Sequence, residues 1–265
     1  LPHPYNTESG ETVQLTIGYS TYGTLNENKS NVVWVCHALT ANTYVADWWP
    51  GVVGDGCLIN PNEHFIVCAN IMGSCYGTTI GLTTSEEYPN RHRADSPLIT
   101  IRDMVSAHIL LRKHLGINQI ALLAGGSMGG YQVMEWALME PNVPQRLLLL
   151  ATSAAESPWG IAIHEAQRMA IEADCTWTRG GDDSGKAGLS AARAIGMLTY
   201  RNYALFGERQ AEPYPNKIDN FLAATYQRHQ GEKLTKRFTA QSYWNLTKSM
   251  DTHNIARGRT PTTID

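Results

Sequence analysis

Ile120-Ala-Leu-Leu-Ala-Gly-Gly-Ser-Met-Gly-Gly130 is the stretch on which the fold turns. An apolar run of β type leads without a break into a glycine-rich turn that holds one serine. Behind it, Met128 to Met139 reads as a helix carrying Val133, Met134, Trp136, Ala137 and Leu138 and ending before Pro141. Gly125, Ser127 and Gly129 fit the pattern G-x-S-x-G, a strand-to-helix turn so tight that neighbouring Cβ atoms would collide. The pattern predicts Ser127 at the apex of the turn. The free N–H groups of the helix's first turn then point at its reaction centre.

Outward from this turn, strands and helices alternate. Val32-Val-Trp-Val-Cys36 and Phe65-Ile-Val-Cys-Ala69 are continuously apolar, as strands covered on both faces must be, and Gln145 to Thr152, centred on Leu147-Leu-Leu-Leu150, reads as one more buried strand. Between them, Thr100-x-x-Asp103 opens an amphipathic helix with Ile101, Met104, Val105, Ile109 and Leu115, which Gly116 stops. Val13 to Tyr22 alternates apolar and polar residues and predicts an antiparallel edge strand within an opening hairpin. The order implies an α/β class, a mostly parallel, doubly wound sheet. After Ser153 the texture becomes helical, over Ile161 to Ala173, Leu189 to Arg201, Lys217 to His229 and Gln241 to Lys248. The division expected is a core at 1–152 with the elbow, a helical cap at 153–252, and at 253–265 the start of a return to the core, truncated, with the fold's C-terminal strands absent from this chain.

With 265 residues and 43% hydrophobic content the chain can bury a large core. A formal net charge of -3 leaves no broad basic field, which argues against nucleic acid as a partner. Five cysteines without C-x-x-C spacing argue against a zinc site or a disulfide framework, and read as mostly buried thiols in a reducing cytosol. No apolar run approaches the ~18 residues of a membrane span, so a cytoplasmic protein without a membrane partner is expected. No metal, flavin or nucleotide cofactor is implied.

A serine hydroxyl is a weak nucleophile at neutral pH and needs a histidine base with a carboxylate behind it. His253 is the one downstream histidine near the return to the core, and it reads as a structural residue more readily than as the base; Asp265 is not assigned as the acid. The triad Asp and His are therefore expected to be missing from this chain. The oxyanion hole would combine the backbone N–H of Met128 with that of Leu39, in the loop after Val32–Cys36. His37 in that loop reads as a packed residue that shapes it. Gly180-Gly-Asp-Asp-Ser-Gly185-Lys186-Ala187 nearly matches a phosphate-binding loop, but Ala187 stands where a Ser or Thr is required and no strand precedes it. Lys233, Lys236 and Arg237 read as a solvated helix face.

Several segments together resemble the homoserine O-acyltransferases of the α/β-hydrolase fold. They are Tyr22-Gly-Thr-Leu25, His37-Ala-Leu-Thr40, Thr100-Ile-Arg-Asp-Met104, Gly125-Gly-Ser-Met-Gly-Gly130, Glu135-Trp-Ala137, Thr199-Tyr-Arg201, Tyr226 with Gln230-Gly-Glu-Lys233, Asp251-Thr-His253 and Arg257-Gly-Arg259. The resemblance covers nearly the whole chain. It implies a ping-pong reaction of methionine biosynthesis, in which acetyl-CoA as co-substrate acylates Ser127 and L-homoserine takes the acetyl group, within a homodimer. It also implies that Arg193 and Tyr200 on the cap contact the substrate, Arg193 clamping the amino acid's carboxylate. Two departures stand out. Thr83-Thr-Ser-Glu-Glu-Tyr-Pro-Asn-Arg91 replaces a proline-rich loop, and the family's C-terminal Asp and Gly-His-Asp have no counterpart. Open alternatives are a homoserine or serine O-succinyltransferase, a serine esterase of the same fold, and a catalytically inactive binding protein.

Overall fold

A computed structural model describes residues 3–79, 97–179, 181 and 183–259. The chain folds into two compact units, one holding the residues through Glu156 together with those from Lys248 onward, the other holding Ser157–Thr247.

The first unit is built on a five-stranded sheet. In chain order its elements are β1 (His3–Asn6), β2 (Thr12–Leu15), β3 (Tyr19–Tyr22), β4 (Val32–Cys36), α1 (Val45–Trp48), β5 (Phe65–Ala69), α2 (Ile101–His114), β6 (Leu122–Gly126), α3 (Met128–Met139) and β7 (Leu147–Leu150). The strand order is β3-β5-β4-β6-β7, parallel except for β3, which runs antiparallel along β5. Every residue of β4 is buried because both faces are covered. On one face Val32, Trp34 and Cys36 pack with Val105 and Ile109 of α2 and Val133 and Trp136 of α3. On the other, Val33 and Val35 meet Val45 of α1, Val53 and Ile59. The helix α2 begins at a capping box: Asp103 N–H donates to Thr100 Oγ1 while Thr100 N–H donates to Asp103 Oδ2, and Gly116 beyond its end takes φ +64.

Three expectations are corrected. Val13 to Tyr22 is two strands in two sheets, β2 forming a separate antiparallel hairpin with β1. The break falls at Thr16 to Gly18, where a loop stands in for a partner strand: Thr16 N–H and Gly18 N–H donate to the hydroxyls of Thr79 and Thr78, and a Cβ on Gly18 would sit 3.2 Å from Tyr76 O. Second, β7 is not buried: Leu147, Leu149 and Leu150 are 44%, 39% and 41% exposed, because β7 is an edge paired only with β6 among the described residues. An apolar exposed edge of this kind is a site for further strand pairing. Third, of the five cysteines only Cys36 and Cys68 are buried.

Ion pairs fasten the ends of this unit onto the helices. Glu135 of α3, 2% exposed, accepts from Arg102 Nε at 2.8 Å and from Arg259 Nη1 at 3.0 Å. Glu8 accepts from both terminal nitrogens of Arg257, at 2.7 and 2.8 Å, and that guanidinium holds its carboxyl down to about 2. Two acids, Glu8 and Glu135, thus face three arginines, Arg102, Arg257 and Arg259, with Arg102 shared between the two carboxylates.

The second unit contains α4 (Pro158–Glu172), a 3-10 turn at Trp177–Arg179, α5 (Lys186–Thr199), α6 (Tyr203–Arg209), α7 (Leu222–Thr235) and most of α8 (Ala240–Asp251). Asn202, whose side chain accepts from Ala204 and Leu205 N–H, caps α6, a helix absent from the expected set.

Two neutral histidines are locked inside the first unit. His108 packs against the rings of both Trp34 and Trp136, 5.9 Å from each, and burial pushes its pKa down to about 3. Burial likewise takes His37 down to about 4. Both folded values lie below the unfolded 6.5, so the unfolded chain binds more protons as pH falls. Their contribution is complete above pH ~6.5 and shrinks below it, each group adding up to about 1.4 kcal/mol per pH unit. His108→Phe should therefore flatten the loss of unfolding free energy between pH 6 and 4.5, measured by urea titration. A slope unchanged from the parent would contradict this.

Candidate active site

Ser127 is the one residue between β6 and α3, with φ +54 and ψ -126, a backbone conformation that L-residues rarely adopt. Its surroundings explain why glycine must flank it. A Cβ on Gly125 would stand 2.4 Å from Gly129 O, and a Cβ on Gly129 would stand 2.2 Å from Cys36 O. Gly130 is under the same constraint, 2.6 Å from the side chain of Thr152. The turn is tied down from three sides, Ser127 N–H donating to Leu150 O at 2.9 Å and Ser127 O accepting from Gly130 N–H at 2.8 Å and Thr152 Oγ1 at 3.0 Å. The side chain is exposed. Among the described residues its hydroxyl makes no hydrogen bond.

The two oxyanion candidates are held by their carbonyl neighbours. In a trans peptide the C=O and N–H point in opposite directions. Ser127 O is fixed by its donors, so Met128 N–H, in the same peptide unit, is aimed away from them. Ala38 O is fixed in the same way, accepting from Ala41 N–H at 3.0 Å and from His37 Nδ1–H at 2.9 Å, and so it orients Leu39 N–H. The tautomer follows from Ile71 N–H, which donates to His37 Nε2 at 3.2 Å and leaves the proton on Nδ1. Neither Met128 N–H nor Leu39 N–H makes a hydrogen bond among the described residues. Gln132, fully buried, donates through Nε2 to both His37 O (3.1 Å) and Met128 O (3.2 Å), joining the two loops. Sequence reading missed Gln132; a glutamine on a mostly apolar helix, five residues past the serine, was the available signal.

His253 is 3% exposed, stacks on Tyr131 at 3.9 Å between ring centres, and donates through Nε2 to Ser153 O at 2.9 Å. Burial lowers its pKa from the ordinary histidine value. Its contacts are those of a packed residue, with no hydrogen bond to Ser127.

In the second unit the Arg193 guanidinium lies 5.4 Å from the Tyr200 ring centre, a cation–π contact. Gly196 makes room behind them: a Cβ there would lie 2.6 Å from Gln167 Nε2, 3.4 Å from the Tyr243 hydroxyl and 3.8 Å from Tyr200 Cζ. Arg193 is half-buried and its Nε has no partner among the described residues, whereas Tyr200 is 54% exposed. The near phosphate loop is unlike one as far as it is described, since the amides of Thr176 and Gly188 donate to Asp174, which holds that carboxyl below its usual range. Gly180, Asp182, Asp265 and the departure at 83–91 lie outside the described residues. Lys233 and Lys236 are exposed. Among the described residues no cluster of His, Cys, Asp or Glu could hold a metal, and no helix is long and apolar enough to cross a membrane.

Comparison with known proteins bears on this geometry. A family model for the alpha/beta hydrolase fold matches residues 31–262. The homoserine O-acetyltransferase of Cyclobacterium marinum is 45% identical over 258 residues, 97% of this chain and 73% of the relative. The chain belongs to the homoserine O-acetyltransferase family. Its relatives in Chlorobaculum parvum and Chlorobium luteolum carry the same name, that of an enzyme. The crystal structure of homoserine O-acetyltransferase from Staphylococcus aureus is 32% identical, superposes with a TM-score of 0.75, and is matched over 97% of this chain and 72% of that one. The acetyl esterase MekB, 21% identical with a TM-score of 0.80 over 96% of this chain and 72% of its own, shares the fold alone.

The elbow's steric constraint is testable without any substrate. Gly129→Ala should destabilise the protein by about 2–3 kcal/mol or more, since the new methyl meets backbone that cannot move aside. A Cβ on Gly126 would meet Leu150 O at 3.5 Å, an ordinary contact, so Gly126→Ala should cost under about 1 kcal/mol. Chemical denaturation of both variants measures the difference; equal losses would show that the elbow is not close-packed.

Proposed function

We propose that the chain carries an acyltransferase site that moves an acetyl group from acetyl-CoA to the hydroxyl of L-homoserine through an acyl-Ser127 intermediate. The observation that carries this reading is the 45% identity, over 97% of the chain, to a relative named homoserine O-acetyltransferase. Ser127 at a strand-to-helix apex supplies the nucleophile the chemistry needs. In the first half-reaction Ser127 Oγ attacks the thioester carbonyl. The tetrahedral oxygen is stabilised by Met128 N–H and Leu39 N–H, and the CoA thiolate leaves and takes a proton. In the second, the homoserine hydroxyl attacks the acyl-serine and the ester product departs. A backbone donor of this kind contributes on the order of 3 kcal/mol at the transition state. The base that takes the serine proton and the acid behind it are assigned to no residue of the chain, His253 being engaged elsewhere.

Transfer to an amino acid in place of water requires the acceptor's charged end to be held. In this reading Arg193 pairs with the carboxylate and Tyr200, beneath its guanidinium, fixes the plane of that fork. A homodimer belongs to the same reading; the exposed Tyr203 and Ile218, each 93% exposed, and Tyr214, 70% exposed, give it apolar surface to cover.

The test uses the protein expressed from its complete reading frame and separates the two half-reactions. Arg193→Ala should lower kcat/KM for homoserine by about 30- to 1000-fold, the loss of a buried charge-assisted contact, while the burst of CoA release without acceptor stays within about threefold. Equal loss in both half-reactions would mean that Arg193 only supports its helix, and undiminished transfer would remove it from the site.

A further inference from the structure

The two peptides that would hold the oxyanion belong to different segments, the loop after β4 and the first turn of α3, and nothing in the chain's order keeps them in register. One side chain touches both. We infer that Gln132 is a positioning residue that sets the relative placement of Leu39 N–H and Met128 N–H, an inference that rests on the acyl-serine reading above.

A primary amide nitrogen carries two hydrogens about 120° apart and can serve two acceptors at once. In Gln132 both are used, one on His37 O and one on Met128 O. Each acceptor is next to an oxyanion peptide. His37 O lies one peptide before the Ala38–Leu39 unit, and Met128 O one peptide after the Ser127–Met128 unit. The bridge is therefore two residues wide at most on either side. The amide's orientation is also settled: reversed, its oxygen would face two carbonyl oxygens. Gln132 Oε1 itself is buried and has no partner among the described residues. A buried acceptor left unsatisfied is destabilising. A leucine or methionine would remove that unpaired acceptor but leave His37 O without its donor, so the residue's presence is explained by what Nε2 holds and not by packing.

The second leg is His37. It is wholly buried, and Nδ1–H grips Ala38 O while Nε2 accepts from Ile71 N–H. The imidazole therefore fixes the direction of Leu39 N–H, and Gln132 fixes its position against α3. The close approach of Gly129 to Cys36 O brings the same two segments together sterically. Sterics set how near they can come; Gln132 sets how they are aligned. Misplacing a donor by as little as 1 Å can cost about 100-fold in rate.

The experiment is on Gln132→Met, unbranched and similar in length, in the protein expressed from its complete reading frame. The donor probe is p-nitrophenyl acetate, followed by its burst of p-nitrophenolate. The oxyanion probe is methylboronic acid, whose boron accepts the serine oxygen while the hydroxyl proton leaves to solvent, giving a tetrahedral anion. The acylation rate and the affinity for the boronic acid should each fall about 10- to 100-fold, while KM for homoserine stays within about threefold and the melting temperature changes little, one unpaired buried acceptor being exchanged for another. A merely structural role would move the melting temperature and both half-reactions together. Should Gln132→Met not fold, Gln132→Glu keeps the length and sets carboxylate oxygens against the two carbonyls, with the same losses expected. Acylation and boronic acid affinity within twofold of the parent, in either folded variant, would overturn the inference. Ser127→Ala is measured alongside. Full acylation in that variant would overturn the nucleophile reading itself, whereas a dead Ser127→Ala beside an unchanged Gln132→Met overturns only the role of Gln132.

Discussion

Only a hydrogen atom fits between the α carbon of Gly129 and the carbonyl oxygen of Cys36, where a Cβ would be 2.2 Å from that oxygen. This contact lets the end of β4 and the start of α3 share one space, and the rest of the site follows from it. With the two backbones so close, Ser127 has to cross from strand to helix in a single residue, which forces the positive φ. The strain, of the order of 1–3 kcal/mol for such a conformation, is borne by the hydrogen bonds to Leu150 O, from Gly130 N–H and from Thr152 Oγ1. The same proximity lets one glutamine amide reach both loops. A methyl group at residue 129 would therefore disturb the nucleophile, both candidate oxyanion amides and their bridge together.

The polar interior of the first unit carries a visible cost. His37 and His108 are held neutral in places where a proton would be strongly disfavoured, and the buried carboxylate of Glu135 is kept by two arginines. Removing one partner of such a cluster leaves a buried charge unpaired, so these groups stand or fall together. In the second unit Gly196 has a role similar to that of Gly129, giving up a side chain so that Gln167, Tyr200 and Tyr243 can come together under Arg193.

Much of this was legible in the sequence wherever the signal is local. β4 and β5 announce themselves by continuous apolar runs, α2 by its capping box and α3 by following a glycine turn, and all lie where expected. Ser127 was legible for the same reason, since G-x-S-x-G records a steric demand within five residues. What was not legible depends on partners far along the chain. The break between β2 and β3 is made by Thr78 and Thr79, about sixty residues away in sequence. Leu147 to Leu150 read as buried because apolar strands are usually covered, but exposure is set by which strands lie alongside. The helix α6 is seven residues long and too short for periodicity, its one clue being Asn202 as a cap. Gln132 lies outside every segment read for its chemistry, and Arg102, Glu135 and Arg259 fall in segments that carry the family resemblance without revealing that they pair, because that meaning is the tertiary contact itself.

The central claim is that the strained serine at the elbow is the atom that takes the acyl group. The most direct measurement is to mix acetyl-CoA with the protein expressed from its complete reading frame, in the absence of acceptor, quench in acid, digest, and map the acetyl mass by tandem mass spectrometry. The account predicts one acetyl group on the peptide containing Ser127, lost on addition of homoserine and absent in Ser127→Ala. Acetyl on another residue, with full transfer activity retained by Ser127→Ala, would contradict it.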